Sequence, residues 1–174
     1  KRQVPYRGSW VEFNYNIKDI LYISIDRRRK FPCSILLRAL GYETNSQIID
    51  LFQKTVSVQV TESGVNCKNK ILAETVVDKE TGEIIADTCQ KITAVILKKL
   101  LKNGIKKVKV FEQEDIQMIQ ILMNTLQKDT TTNREEALTE IYKVLRPGEP
   151  PNIEVAESLL ERLFFDPKRY DIGE

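Results

Sequence analysis

Arg27, Arg28, Arg29 and Lys30 stand together directly after an alternating apolar segment, and the only tryptophan, Trp10, stands at the head of another. Guanidinium groups bind phosphates or carboxylates bidentately. An outward indole either packs against a neighbouring loop or offers its ring to a nucleobase. Both are recognition chemistry rather than catalysis. No histidine occurs in the sequence, which removes Ser-His-Asp and Cys-His catalysis and every His-containing metal site. Cys33, Cys67 and Cys89 are odd in number, far apart and in no Cys-x-x-Cys pair, so they read as reduced thiols. Asp26, Asp50, Asp78, Asp87, Asp115, Asp129, Asp166 and Asp171 are scattered and form no acidic cluster of the kind magnesium needs. No catalytic residue and no metal ligand is expected within this sequence.

The formal charge is only +2, but the cations are bunched at 27–30, at Lys98, Lys99 and Lys102, and at Lys106, Lys107 and Lys109. The two lysine groups have the amphipathic spacing of solvated faces, whereas the arginine run is less easily read that way. If the strand before it continued, Arg27 and Arg29 would fall on its apolar phase and Arg28 and Lys30 on its outward phase. Burying an unpaired guanidinium is costly, so one of them is expected to pair with a carboxylate such as Asp26 or Glu12.

With 174 residues, 41% hydrophobic and 30% charged, the chain can build a core in one or two domains. No apolar run approaches the roughly 20 residues that span a bilayer, and no signal segment opens the sequence, which favours a cytosolic protein. The chain opens at Lys1, and its first element begins almost at once, so a piece of a longer polypeptide is expected.

The elements that must position these residues follow from period and punctuation. Val11/Phe13/Tyr15 and Leu21/Ile23/Ile25 alternate around the polar Asn16–Asp19 and predict a β-hairpin with one buried face, leaving Trp10, Glu12 and Asn14 on the other. Pro32 ends the extended chain, Ser34 is the expected cap of a short helix closed by Gly41, and a second short helix starts at Thr44 or Asn45. From Thr55 the pattern predicts a strand, a hairpin around Lys79–Gly82, an amphipathic helix from Thr93 to Gly104 and a returning strand. Helices then follow, with Ile116, Ile119, Leu122 and Leu126 on one face, then Ala137, Leu138, Ile141, Tyr142 and Leu145. After the Arg146–Asn152 break comes a helix with Val155, Leu159 and Leu163 expected inward. The fold class expected is α+β: a mostly helical lobe with a β-hairpin, made of 1–54 and 113–174, carrying a small inserted α+β module at 55–112.

Four short strings, "PYRGSW", "IDRRRKFP", "RPGEPP" and "LFFDPKRYD", occur at the two ends of the chain. Together with "TLQKDTTTNREEALTEIYKVL" they resemble the lobe domain of the β subunit of bacterial DNA-directed RNA polymerase. The 55–112 segment lies where that family carries lineage-specific inserts. The resemblance implies that Trp10 lies on the wall of the main cleft and stacks on a base of the separated non-template strand. It further implies that Arg146, Glu149 and Arg169 line the path of that strand just upstream of the start site. Arg27, Arg28, Arg29 and Lys30 complete the expected DNA-binding set. Arginines there can neutralise phosphates or stack on bases, and Glu149 can accept from a base amino group, hold an arginine, or sit at the mouth of the next helix.

The resemblance also implies a nucleotidyltransferase whose chemistry happens outside this segment, with magnesium held by the β′ subunit and no cofactor here. Its implied partners are promoter and downstream DNA, the non-template strand, the β′, α, ω and σ subunits, and transcription factors on the insert. Its implied location is the cytoplasm, at the bacterial nucleoid. The competing readings are a protein-docking module and an unrelated single-stranded nucleic-acid-binding domain.

Overall fold

The computed structural model describes residues 2–112 and 115–171. In chain order the elements are β1 (Arg2–Gln3), β2 (Val11–Tyr15), β3 (Leu21–Ile25), β4 (Phe31–Pro32), α1 (Cys33–Ala39), α2 (Asn45–Phe52) and β5 (Thr55–Gln59). They continue with β6 (Val76–Val77), β7 (Ile84–Ala86), α3 (Ala94–Lys102), β8 (Lys107–Phe111), α4 (Ile116–Lys128), α5 (Arg134–Leu145) and α6 (Ile153–Phe164). This is a mixed α+β chain, as the sequence predicts. It divides into two compact units, Lys1–Thr44 with Asn124–Glu174, and Asn45–Met123, so that the second division falls inside α4.

The first unit is built on the hairpin. β2 pairs antiparallel with β3 in the register Val11↔Ile25, Phe13↔Ile23 and Tyr15↔Leu21, and β1 and β4 extend the sheet to the order β1-β2-β3-β4. Asn16 closes the turn by accepting the N–H groups of Lys18 and Ile20 on its Oδ1, each at 3.0 Å. Val11, Ile23 and Ile25 are buried against Ile35 and Leu36 of α1, Leu138 and Ile141 of α5 and Leu160 of α6. Each such side chain is worth about 1.5–3 kcal/mol on leaving water. Tyr15, expected on this buried face, is 61% exposed. It is the last residue of β2, opposite the half-buried Leu21 at the hairpin tip, where the period-2 phase persists but the core beneath has ended.

Two helix starts behave differently. Asn133 and Asn152 cap α5 and α6 by accepting the N–H of Glu136 at 2.9 Å and of Val155 at 3.1 Å. Ser34 does not cap α1. Pro32 still pairs with Tyr22 in the sheet and is itself the cap residue, so the chain passes from strand to helix with Ser34 already inside the first turn and buried. α1 ends as expected, with Gly41 at φ +107° and its N–H bonded to the Arg38 carbonyl. On α6 the buried residues are Ala156 and Leu160, with Leu159 and Leu163 half-buried, whereas Val155, expected inward, is exposed. Arg38 is buried and its Nε lies 3.0 Å from Asp129 Oδ2, which ties α1 to the chain entering α5. Its second contact is the Glu43 carbonyl, and Asp129 Oδ1 takes the N–H and hydroxyl of Thr131.

In the second unit β5 and β8 pair antiparallel from Thr55↔Phe111 to Gln59↔Lys107, and β6 and β7 form the hairpin that the sequence predicts around Lys79–Gly82. Val108 and Val110 point into a core with Leu72, Val76, Leu97 and Leu100. Leu101 packs against its margin. α3 is capped by Thr93, which accepts the Ile96 N–H, and stopped at Gly104, φ +65°. Lys109 is not a solvated lysine: it bonds Asp50 and the Ser46 hydroxyl, and Asp50 is held below the usual carboxylate range against its own desolvation by the bonds from Lys109 and Thr55.

Candidate nucleic-acid interface

The tryptophan and the arginine run meet through one tight turn. β3 stops at Ile25, and Asp26 and Arg27 both take positive φ, +49° and +58°, with the Arg28 N–H bonded to the Ile25 carbonyl at 3.0 Å. Left-handed backbone costs a non-glycine residue about 1–2 kcal/mol, and the turn recovers it locally. Asp26 Oδ1 accepts the Trp10 N–H at 2.7 Å, and the Asp26 N–H returns to the Trp10 carbonyl at 2.9 Å. The reversal carries the Arg27 guanidinium over the Trp10 ring, 5.3 Å from its centroid. Trp10 is half-buried, with a guanidinium supplying part of its cover.

Because the strand ends at Ile25, no inward and outward phase exists for the run. Arg27, Arg28, Arg29 and Lys30 are all exposed. The expected pairing with Asp26 or Glu12 does not form: none of the four is ion-paired among the described residues, and exposure removes the reason for it. Lys30 lies over the Tyr22 ring at 4.8 Å.

"PYRGSW" and "DPKRYD" are joined by backbone. Arg7 and Asp171 exchange N–H···O bonds of 3.1 and 2.8 Å. At Gly8, φ +127°, a Cβ would lie 2.6 Å from Tyr170 Cδ2 and 3.0 Å from the Arg169 carbonyl oxygen. Only glycine allows this approach. Tyr170 in turn meets Phe164 of α6 edge to face, centroids 5.7 Å apart. Arg169 sits on a turn organised by Asp166, whose Oδ2 is 3.4 Å from its Nε.

Arg146 is the C-terminal cap residue of α5 and begins the turn that Gly148 completes at φ +90°. Its guanidinium is 3.5 Å from Glu149 Oε1, and Glu149 Oε2 accepts the Tyr142 hydroxyl at 2.8 Å. That bond raises the Tyr142 phenol above its ordinary pKa, because the carboxylate holds the proton in place. Glu149 thus positions an arginine from an anchored tyrosine.

These pieces converge. Gly8, Ser9, Arg146, Arg169 and Arg162, over the apolar Leu159 and Leu163, line one cleft of about 240 Å³ in the first unit. Ser9 is the neighbour of Trp10, so the indole and the cleft are one residue apart along the chain. Trp10, Arg27, Arg28, Arg29, Lys30 and Glu149 do not line it. Arg162 is the member that motif reading missed. The available signal was its place on α6, the helix that links "RPGEPP" to "DPKRYD", three residues after Leu159 and next to Leu163.

Among the described residues no group of three or more Cys, Asp or Glu is arranged to hold a metal ion.

The chain matches the family model for RNA polymerase Rpb2, domain 2, over residues 1–81 and 83–174, so the match runs through 55–112 as well. It is 41% identical over 177 residues to the DNA-directed RNA polymerase subunit beta of Protochlamydia amoebophila, covering 99% of this chain and 14% of that protein. It is 34% identical over 223 residues to the DNA-directed RNA polymerase subunit beta of Solibacter usitatus, covering 98% of this chain and 16% of that protein. The chain spans about a seventh of the length of these relatives.

Proposed function

The chain belongs to the RNA polymerase Rpb2 domain 2 family, and on that premise we propose that it is a piece of the β subunit of a bacterial DNA-directed RNA polymerase, forming the lobe on one side of the main cleft. In this reading Lys1–Thr44 with Asn124–Glu174 present Trp10, Arg27, Arg146 and Arg169 to the unpaired non-template strand, while nucleotidyl transfer and its magnesium belong to β′. The β′, α, ω and σ subunits and promoter DNA are the partners. The cytoplasm, at the nucleoid, is the location; no helix among the described residues is long and apolar enough to cross a membrane.

The observation that carries the reading is the convergence of Gly8–Ser9, Arg146 and Arg169 on one cleft, with a half-exposed tryptophan next to Ser9 in sequence. Such a face suits single-stranded DNA, where cations follow the backbone and an aromatic ring takes any base, worth about 1–3 kcal/mol per base. It needs no hydrogen-bond code. The test is a polymerase reconstituted with Arg146→Ala and Arg169→Ala in β, read as open-complex lifetime against salt. Each variant should shorten the lifetime, and the deficit should narrow as salt rises, because each lost phosphate contact removes about 0.7 from the salt slope on single strands. Lifetimes and slopes equal to the parent enzyme would refute the reading.

A second reading, a docking surface for transcription factors, has one observation in its favour. In the second unit a cleft of about 890 Å³ is rimmed by Lys79, Lys102, Lys106 and Lys107 with Asp78 and Glu80, and the cross-strand pair Val77 and Ile84 is exposed nearby in sequence.

A further inference from the structure

The charges around the 240 Å³ cleft do not balance. Arg146 has Glu149 at 3.5 Å and Arg169 has Asp166 at 3.4 Å, each within its own turn. Arg162 has no carboxylate among the described residues. Its Nε donates to the Ser158 carbonyl at 3.1 Å, which fixes the plane of the guanidinium and leaves both terminal nitrogens for something else. Two arginines in exposed, loose ion pairs and one without a carboxylate, around an apolar floor of Leu159 and Leu163, suit a negatively charged group attached to an apolar body. At this size the cleft is smaller than pockets that enclose a whole small ligand. It accepts part of a larger molecule.

We infer that Arg162 is a DNA-binding residue that holds one backbone phosphodiester of the unpaired strand in this cleft, with the adjoining sugar on Leu159 and Leu163. The inference rests on the proposed non-template-strand reading and adds the ligand group and the residue that takes it. A phosphodiester fits because it brings one charge per nucleotide and two free oxygens, which a guanidinium edge meets bidentately. Arg146 and Arg169, already paired, flank that phosphate. A position in the last turn of α6 also favours a cation through the helix dipole, which is the purely structural alternative.

The two are separated with polymerase reconstituted from β carrying Arg162→Gln, bound to promoter DNA with a pre-melted bubble. Methylphosphonate, which is uncharged, replaces one linkage at a time in the non-template strand. Melting of the enzyme should be unchanged, because the side chain is exposed. At low salt Arg162→Gln should weaken binding about ten- to a hundredfold, the range for loss of one charge-assisted contact, and lower the salt slope by about 0.7. At one linkage, neutralisation should cost the parent enzyme the same factor and cost Arg162→Gln nothing further. If Arg162→Gln binds like the parent while Arg146→Ala and Arg169→Ala bind weakly, the inference is overturned and the strand reading stands. If all three bind like the parent, the strand reading fails with it. A weakened Arg162→Gln that stays sensitive to every neutral linkage overturns the phosphate assignment.

Discussion

Gly8→Ala tests whether the two ends of the chain are held together by the absence of one carbon. The new Cβ would stand 2.6 Å from Tyr170 Cδ2 and 3.0 Å from the Arg169 carbonyl, and the residue would keep φ +127°. The backbone term alone is about 1–2 kcal/mol. Relief of the overlap requires the 169–171 segment to retreat, and that retreat breaks the two Arg7–Asp171 hydrogen bonds, about 1 kcal/mol each, and loosens the Tyr170–Phe164 edge contact, about 0.5–1.5 kcal/mol. A loss of about 3.5–5.5 kcal/mol in the urea unfolding free energy of the chain is expected. Gly41→Ala is the matched control: Gly41 has φ +107° and nothing within 4 Å of its would-be Cβ, so it reports backbone strain by itself and should cost only about 1–2 kcal/mol. Gly8→Ala should also displace Arg169 from the cleft and reduce the salt slope of open-complex lifetime, which Gly41→Ala should leave alone. Equal destabilisation by the two substitutions would refute the reasoning, because it would leave no separate cost for the clash and the bridge.

Arg38→Ala should cost about 3–5 kcal/mol in urea unfolding, since it strands the buried Asp129 carboxylate, and Arg38→Met with Asp129→Leu should recover most of that loss. Trp10→Ala should cost about 1–2 kcal/mol, short of the 3–5 kcal/mol typical of a fully buried tryptophan, because the ring is half-exposed and its Arg27 contact is of the weak exposed kind. A melt shifted by the full amount would make Trp10 structural. Burial raises the Cys33 thiol from 9.0 to about 11, so the folded chain keeps a proton that the unfolded chain releases. The stability this gives is whole below pH 9 and lost as pH climbs from about 9 to about 11. Cys33→Ala should therefore flatten the alkaline fall of the melting temperature, and an unchanged fall would assign it to other groups.

The hairpin, with its buried face, and the three long helices were legible because the hydrophobic period marks them. Val11, Ile23 and Ile25 repeat with period 2, and Asn133 and Asn152 stand where a helix needs an acceptor. Tyr15, Val155 and Ile116, the last 70% exposed at the start of α4, were not, because periodicity assigns a face and cannot say where the core beneath that face ends. Ser34 failed as a cap because β4 runs directly into α1, a junction fixed by the Tyr22↔Pro32 pairing rather than by any local residue preference. At the candidate site, motif reading singled out Trp10, Arg146 and Arg169, of which the two arginines line the cleft, but it gave Arg27 the wrong setting. A left-handed pair at Asp26–Arg27 leaves no trace in residue type, since neither residue is glycine, and it is the turn that sets Arg27 on Trp10. Arg162 was invisible for a different reason: it belongs to no motif, and only folding brings α6 between the Gly8–Ser9 and Arg169 segments. The 55–112 segment reads correctly as strand, hairpin, helix and strand from its own punctuation, and the family match includes it.

The most direct test is a photocrosslink from position 10. Polymerase reconstituted with Trp10→p-benzoylphenylalanine in β and irradiated in the open complex should label the non-template strand within the melted region. It should lose that label when the same promoter is held closed as duplex. Labelling of the template strand, of duplex DNA in both states, or of protein alone would contradict a face built to hold the unpaired non-template strand.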